Sequence, residues 1–178
     1  MKRLLISYVL ILLALSALAF GTLAPASAKG SNKWRRYTGA WFGINYPPGF
    51  KQRPHMKSLT AEPGYDSAFF ISPDKKVEFY VFSPQWDGES SDIFVNPKKE
   101  KLISSKTQTK ATKRVIWVSI HAKDGSYQRS YIDIRESEAA PGGFSRRIFG
   151  IKYTNQKTYK KYQKDYLKFQ KSLEQYAD

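Results

Sequence analysis

The sequence predicts an α+β domain: a mostly antiparallel sheet with a C-terminal amphipathic helix packed on it. Three observations lead there. Runs rich in aromatic and β-branched residues recur along the chain, separated by Pro, Gly and Asp turn signals. After residue 102 the connections between these runs are short, which suits antiparallel neighbours and not parallel crossovers. Near the end, Tyr159, Tyr162, Tyr166, Phe169, Leu173 and Tyr176 recur at spacings of 3, 4, 3, 4 and 3, which places all six on one helix face. Strands, a crossover, more strands and a last helix define the α+β order.

Residues 29–40 read as a basic, flexible lead-in, and the single α+β domain is expected over 41–178. WFGINYPPGF places a strand over 41–46. Pro47-Pro48-Gly49 stops it, since proline lacks the amide proton that a ladder needs. Residues 57–65 read as a loop with Pro63-Gly64 as its turn. Residues 67–72 and 77–82 form a hairpin. Between them Pro73 presets a turn dihedral and Asp74 caps the turn with its side chain. Ser83-Pro84-Gln85-Trp86-Asp87-Gly88 ends the second strand. Residues 90–101 read as a helical or irregular crossover: Ser91 or Asp92 suits a helix cap, and Pro97 interrupts.

Residues 102–109 alternate weakly, as an edge strand whose lysines discourage another chain from adding on. Residues 114–122 (RVIWVSIHA) and 127–135 read as partner strands. Lys123-Asp124-Gly125 is their three-residue loop, with Gly125 at the left-handed bulge position. A loop over 136–143 containing Pro141-Gly142-Gly143 leads to a strand over 144–153. A helix over 157–176 closes the chain, with Thr154 or Asn155 as its cap. Lysines fill much of the helix away from the aromatic stripe, so the stripe is expected to pack on the sheet. A membrane-surface helix is the competing reading. The tyrosine hydroxyls argue against deep insertion and suit rings that are buried with a wet edge.

The first 28 residues read as an export signal. Lys2 and Arg3 make a positive start, residues 4–20 carry no charge, and Ala26-Ser27-Ala28 is the small-x-small pattern that a signal peptidase cuts after. Ala26 and Ala28 are the expected cleavage determinants. An uncleaved anchor competes, because the apolar run lies at the lower limit for crossing a bilayer of ~30 Å. Pro25 and the A-x-A site favour cleavage, leaving no transmembrane helix in the mature chain. No twin-arginine pair precedes the apolar run, so the general secretory route is expected, with a periplasmic or extracellular destination.

The chain has no cysteine, which excludes disulfides, thiol catalysis, Cys-ligated zinc and lipid attachment through a thiol. At 15% aromatic residues it is far too aromatic for disorder. Its formal charge is +15; the leader holds two basic residues and no acid, which leaves about +13. Such a field attracts phospholipid headgroups, acidic glycans, acidic proteins or nucleic acid, and it also serves plain solubility. Nucleic acid is the least favoured of these partners, since no arginine-rich arm exists and an exported protein rarely meets it.

Little in the sequence announces catalysis. The only histidines are His55, in an apparent loop, and His121. No G-x-S-x-G elbow, H-E-x-x-H, EF-hand loop or P-loop occurs, and no cofactor is expected. With a three-residue loop, Ala122 faces Ser126 and the register pairs His121 with Tyr127, Ser119 with Arg129, Trp117 with Tyr131 and Val115 with Asp133. One face then collects Ile116, Val118, Ile120, Ile132 and Ile134. The other collects Trp117, His121, Tyr127, Arg129, Tyr131 and Asp133, joined by Arg147 from the next strand. These seven are the candidate ligand-binding residues. Arginine supplies a forked donor and the aromatics supply flat surfaces for an anionic or carbohydrate-like ligand. The competing reading is a solvated or loop-covered face with Arg129 and Asp133 as an ion pair. A histidine with one carboxylate is no metal site without a third ligand.

The layout resembles the PsbP-like α/β/α sandwich, shared with the Ran-binding Mog-type proteins. The matching parts are FGINYPPGF, like that family's opening strand running into proline; WVSIHAKDGSYQRSYIDI, like its central meander; and FGIKYTNQKTYKKYQKDYLKFQKSLEQY, like its last strand and closing helix. The resemblance implies non-catalytic work: docking on larger assemblies or binding partner proteins, with ion retention at photosystem II among photosynthetic members. No functional motif of that group maps onto this chain, and no metal-ligand cluster is evident to support ion retention.

The expected function is thus an exported, non-catalytic binding or accessory module that engages an acidic partner or surface through a basic exterior. A secreted hydrolase with a site around His121 and a peripheral envelope or membrane-surface binder are the alternatives.

Overall fold

The computed structural model describes residues 33–85, 88–137 and 144–176. The leader with Ala26 and Ala28, the first residues of the lead-in and the Pro141-Gly142-Gly143 turn lie outside the described residues. Among those described, no helix is long and apolar enough to cross a membrane.

Among the described residues ten strands and one α-helix follow one another: β1 Arg35–Thr38, β2 Phe42–Tyr46, β3 Lys51–Pro54, β4 Ser67–Ile71, β5 Val77–Phe82, a 3-10 turn Ser91–Ile93, β6 Glu100–Lys110, β7 Lys113–Ala122, β8 Gln128–Ser137, β9 Phe144–Tyr153, α1 Gln156–Lys171 and β10 Glu174–Gln175. They build a seven-stranded sheet in the order β3-β4-β5-β9-β8-β7-β6 and a three-stranded sheet in the order β1-β2-β10. Every strand pair is antiparallel. The structure is sheet-rich, with antiparallel sheets and one C-terminal helix as the sequence predicts, and a mostly-β description fits it as well as the α+β one.

The lead-in is shorter than the sequence suggests. Arg35–Thr38 is a strand of the small sheet, paired with β2 from Arg35–Tyr46 to Thr38–Gly43. Tyr37 is buried there against the rings of Phe42 and Phe70, which fixes a stretch whose neighbours are basic and exposed.

The helix also differs. It ends at Lys171, and Leu173 and Tyr176 belong to the chain that forms β10 beside β2. Ser172 ends it: its hydroxyl accepts from the amide of Asn45 at 2.9 Å and donates to the carbonyl of Phe169 at 2.8 Å. Arg36 then holds Glu174 at 2.6 Å and the Tyr176 hydroxyl at 2.9 Å. Gly43 makes room for this, since a Cβ there would collide with both Arg36 and Tyr176. At the other end Asn155 is the cap, accepting from the Thr158 amide at 2.9 Å.

The main core lies between the helix, the small sheet and one face of the large sheet. Phe169 of α1 is fully buried among Phe70, Phe79 and Phe149, and Tyr162 and Tyr166 pack beside it. The tyrosine stripe thus packs on the sheet. A second, smaller core of Tyr80, Phe82, Ile93 and Ile148 lies on the opposite face. Residues 88–99 of the connection cover that face, where an α/β/α sandwich would carry helices.

The β4–β5 hairpin has the expected turn. Asp74 accepts from the Ser72 hydroxyl at 2.6 Å and from the Lys76 amide at 3.1 Å. The β7–β8 hairpin does not have the expected loop. Ala122 pairs with Tyr127 through its amide, leaving a four-residue loop in which Asp124 accepts from the amide and hydroxyl of Ser126. Gly125 does take the left-handed conformation, with φ +74°. One extra loop residue slips the register by one: His121 faces Gln128, Ile120 faces Arg129, Val118 faces Tyr131 and Ile116 faces Asp133.

Candidate functional site

A one-residue slip turns half of a hairpin over, and it divides the seven residues that the sequence groups together. Tyr127, Arg129, Tyr131 and Asp133 share the face of Ile116, Val118 and Ile120, away from α1. Trp117 and His121 occupy the other face, with Ile132 and Ile134 and with Arg147, whose register partner is Ile134. Each set has a different fate. Arg147 bonds Glu136 at 3.0 Å and Gln175 at 3.3 Å beside the helix end. His121 is exposed, with no hydrogen bond or ion pair among the described residues, so nothing there orients it as a base. Arg129 and Asp133 do not pair with each other.

Asp133 is buried and receives a fork from Arg146, Nε to Oδ1 at 3.1 Å and Nη2 to Oδ2 at 2.8 Å. Arg146, only 2% exposed, also donates to the carbonyl of Gly88 and so ties the connection 83–99 to the sheet. Arg129 makes a second fork, to Glu100: Nε to Oε1 at 2.7 Å and Nη2 to Oε2 at 2.8 Å. Its remaining donors reach the carbonyls of Ile93 at 2.9 Å and Phe94 at 3.1 Å. Glu100 also accepts from the Tyr127 hydroxyl and the Asn96 amide, both at 2.8 Å. The Arg129 guanidinium foremost, with these donors, holds the Glu100 carboxyl down to about 2. Burial first, then the Glu100 charge, pushes the Tyr127 phenol up to about 12. The sequence-level candidates Arg129, Tyr127 and Asp133 are therefore fasteners of the connection.

What they fasten is the wall of a cleft of about 580 Å³ between the connection and the sheet. Its floor carries Phe69, Tyr80 and Gly150. Gly150 gives a close fit there: a Cβ would lie 3.0 Å from Cδ1 of Ile93 and 3.3 Å from Cβ of Tyr80, so Ile93 sits tightly down on the strands.

At the mouth stands a group that carries little signal in the sequence. His55 places Nδ1 3.0 Å from Oδ2 of Asp92. Asp92, with its side chain 4% exposed, further accepts from Tyr80 at 2.6 Å, Ser67 at 3.1 Å and Ser90 at 3.1 Å. The carboxylate is thus saturated by neutral donors and orients the imidazole with Nδ1 protonated, leaving Nε2 free to accept or, when protonated, to donate. Burial pushes the Tyr80 phenol well up, which keeps it a donor to Asp92. The Ser67 and Ser90 hydroxyls are turned to Asp92 and not to the imidazole, so these residues do not assemble a serine nucleophile with its base.

Beside His55, the Arg53 guanidinium lies 4.4 Å from the centre of the Phe69 ring and 3.8 Å from Oε2 of Glu78. Lys152 faces Glu78 across the β5–β9 pair and places Nζ 4.3 Å from the centre of the Tyr127 ring. Burial pushes the Glu78 carboxyl up, against the pull of Lys152 and Arg53. Lys99 completes the lining cations. Among the described residues no group of three or more His, Asp or Glu is placed to hold a metal ion. The cleft is a rim of cations over an aromatic floor, with two of its three carboxylates consumed by internal hydrogen bonds.

No family model matches the chain, and no curated protein matches it. Among solved structures the chain is similar to cyanobacterial PsbP from Synechocystis sp. PCC 6803, at 13% identity and TM-score 0.43, over 88% of this chain and 100% of that one. It is similar to the Ran-binding protein Mog1p of Saccharomyces cerevisiae at 10% identity and TM-score 0.39, over 83% and 97% of the two chains. A Mog1 variant gives 11% identity and TM-score 0.39, over 82% and 96%. These are the two groups that the strand and helix pattern of the sequence resembles.

Proposed function

We propose that this protein is an exported, non-catalytic binding module that engages an acidic partner through its basic exterior. The carrying observation is how the described acidic and basic side chains are disposed. Asp92, Glu100 and Asp133 are turned inward. Asp74, Asp124, Glu136 and Glu174 are held by neighbours within the chain. The lysines face out. On α1, Lys157, Lys161, Lys164, Lys168 and Lys171 recur every three or four residues and form an exposed stripe opposite the buried tyrosines. Of these, Lys161 has a carboxylate nearby, Asp74 at 3.6 Å. A row of like charge over a 16-residue helix, roughly 24 Å long, attracts a polyanionic surface and is weakened by salt.

The test is capture from envelope extracts at low and high salt, with the quadruple variant Lys157→Gln, Lys164→Gln, Lys168→Gln, Lys171→Gln alongside. An acidic protein retained at low salt, released at high salt and lost in the variant supports the reading. Sedimentation with anionic vesicles in place of a protein would assign the stripe to lipid. Salt-insensitive capture that ignores the variant would refute the reading. For export, the released protein is expected to begin at Lys29, which N-terminal sequencing reads directly.

A further inference from the structure

We propose that the cleft beneath the connection 83–99 is a binding site for a small organic oxyanion, a carboxylate or phosphate carried on an apolar body, gripped by Arg53, His55 and Lys152. This goes beyond the helix-borne stripe, which lies on the other side of the large sheet.

The argument begins with which charges are free. The four carboxylate oxygens of Asp92 and Glu100 are occupied by eight donor groups from seven residues of the chain. Arg129 is largely consumed, with four of its five donors on Glu100 and two carbonyls. That leaves Arg53, Lys152 and Lys99 as donors facing the cavity, joined by the Nε2 edge of His55 when the imidazole is protonated, with Glu78 as the carboxylate not already consumed. Glu78 does not saturate them: its contact with Arg53 is 3.8 Å, beyond a direct hydrogen bond.

The donors are also pre-positioned. Arg53 lies over the Phe69 ring, and Phe69 is braced by Tyr80 at 4.6 Å and by His55, edge to face, at 5.4 Å. His55 is aimed by a buried carboxylate that itself has three other donors. Ordering these groups before a ligand arrives lowers the entropy lost on binding. The apolar side is equally specific. Phe69 and the 51%-exposed Phe94 line the same cavity, so a ligand bearing a ring or hydrocarbon body gains contacts that a bare anion does not.

Glu78 makes the assignment discriminating, because it competes with any anion for Arg53 and Lys152. Replacing it with Gln removes the competitor and keeps the shape. Binding of phenyl phosphate, benzoate and inorganic phosphate to the full chain is to be followed by NMR shifts and calorimetry. Phenyl phosphate or benzoate should saturate, with shifts centred on His55, Phe69 and Lys152, and should bind at least severalfold more tightly than inorganic phosphate. Preference between the two organic probes identifies the headgroup. Arg53→Gln with Lys152→Gln should weaken binding at least tenfold, and Glu78→Gln should tighten it severalfold, a gain that loss of folding cannot imitate. The α1 lysine variant should bind the probes as the parent does, which separates failure here from failure of the docking stripe. Absence of saturable shifts at the cleft, equal affinity for inorganic phosphate, or weaker binding in Glu78→Gln would overturn the proposal.

Discussion

Glu100 offers a perturbation whose size follows from its surroundings. Its carboxylate is 5% exposed, bonded twice to Arg129 and once each to Tyr127 and the Asn96 amide. The free side chain takes up its proton at 4.5 and the folded one at about 2. Each tenfold change in proton affinity is worth ~1.4 kcal/mol, so the ionised carboxylate stabilises the folded chain by about 3 kcal/mol. The sign follows from the depressed value. Above pH 5 both states are ionised and the contribution is complete. As pH falls from about 5 to about 2 the unfolded chain takes the proton first, and the contribution is lost. Glu100→Gln removes the ionisation. Urea unfolding followed by tryptophan fluorescence should show the variant less stable at pH 7 by about 3 kcal/mol, with the gap to the parent closing towards pH 2. Comparing the pair cancels the other carboxylates. A gap that stays constant from pH 7 to pH 2 would refute the electrostatic account of this clamp.

Phe169→Ala should cost about 3 to 5 kcal/mol, the range for emptying a fully buried aromatic site, because Phe70 and Phe79 each lie 5.3 Å from its ring. A loss under 1 kcal/mol in urea unfolding would contradict the packing of α1. Gly150→Ala forces Ile93 to give way, and should cost about 1 to 2 kcal/mol. Amide exchange should speed up around Ile93 and Phe94, while unchanged protection there would show that Gly150 does not seat the connection.

The sequence carried the element order well because the signals there are local. Proline after Tyr46, the Asp74 turn and the 3-and-4 spacing of Tyr159, Tyr162, Tyr166 and Phe169 each report on their own neighbourhood. The misplacements come from partners far away in the chain. Arg35–Thr38 is a strand because β2 is beside it, and Leu173 leaves the helix because β10 finds the same strand.

The candidate site was misgrouped by a single loop residue. The sorting of Ile116, Val118 and Ile120 against Trp117 and His121 looked decisive, but it presumes one greasy face and one wet one. Here both faces of the sheet are covered, one by α1 and the small sheet and the other by the connection. Apolar and charged residues alternate on both, and the pattern loses its power to fix the register. The pairing of His55 is illegible for a related reason: its partner, Asp92, sits 37 positions away in a segment with no periodic signal.

The large sheet is open, and its two borders are alike in sign. β3 brings Lys51 and Arg53 to one side and β6 brings Lys101, Lys106 and Lys110 to the other. Copies meeting border to border would have to set these cations about a strand spacing, ~4.8 Å, apart. Like charge on the two borders therefore opposes such a meeting: in concentrated salt the repulsion fades, while the outward-pointing backbone groups of the 11-residue β6 remain available to a neighbour.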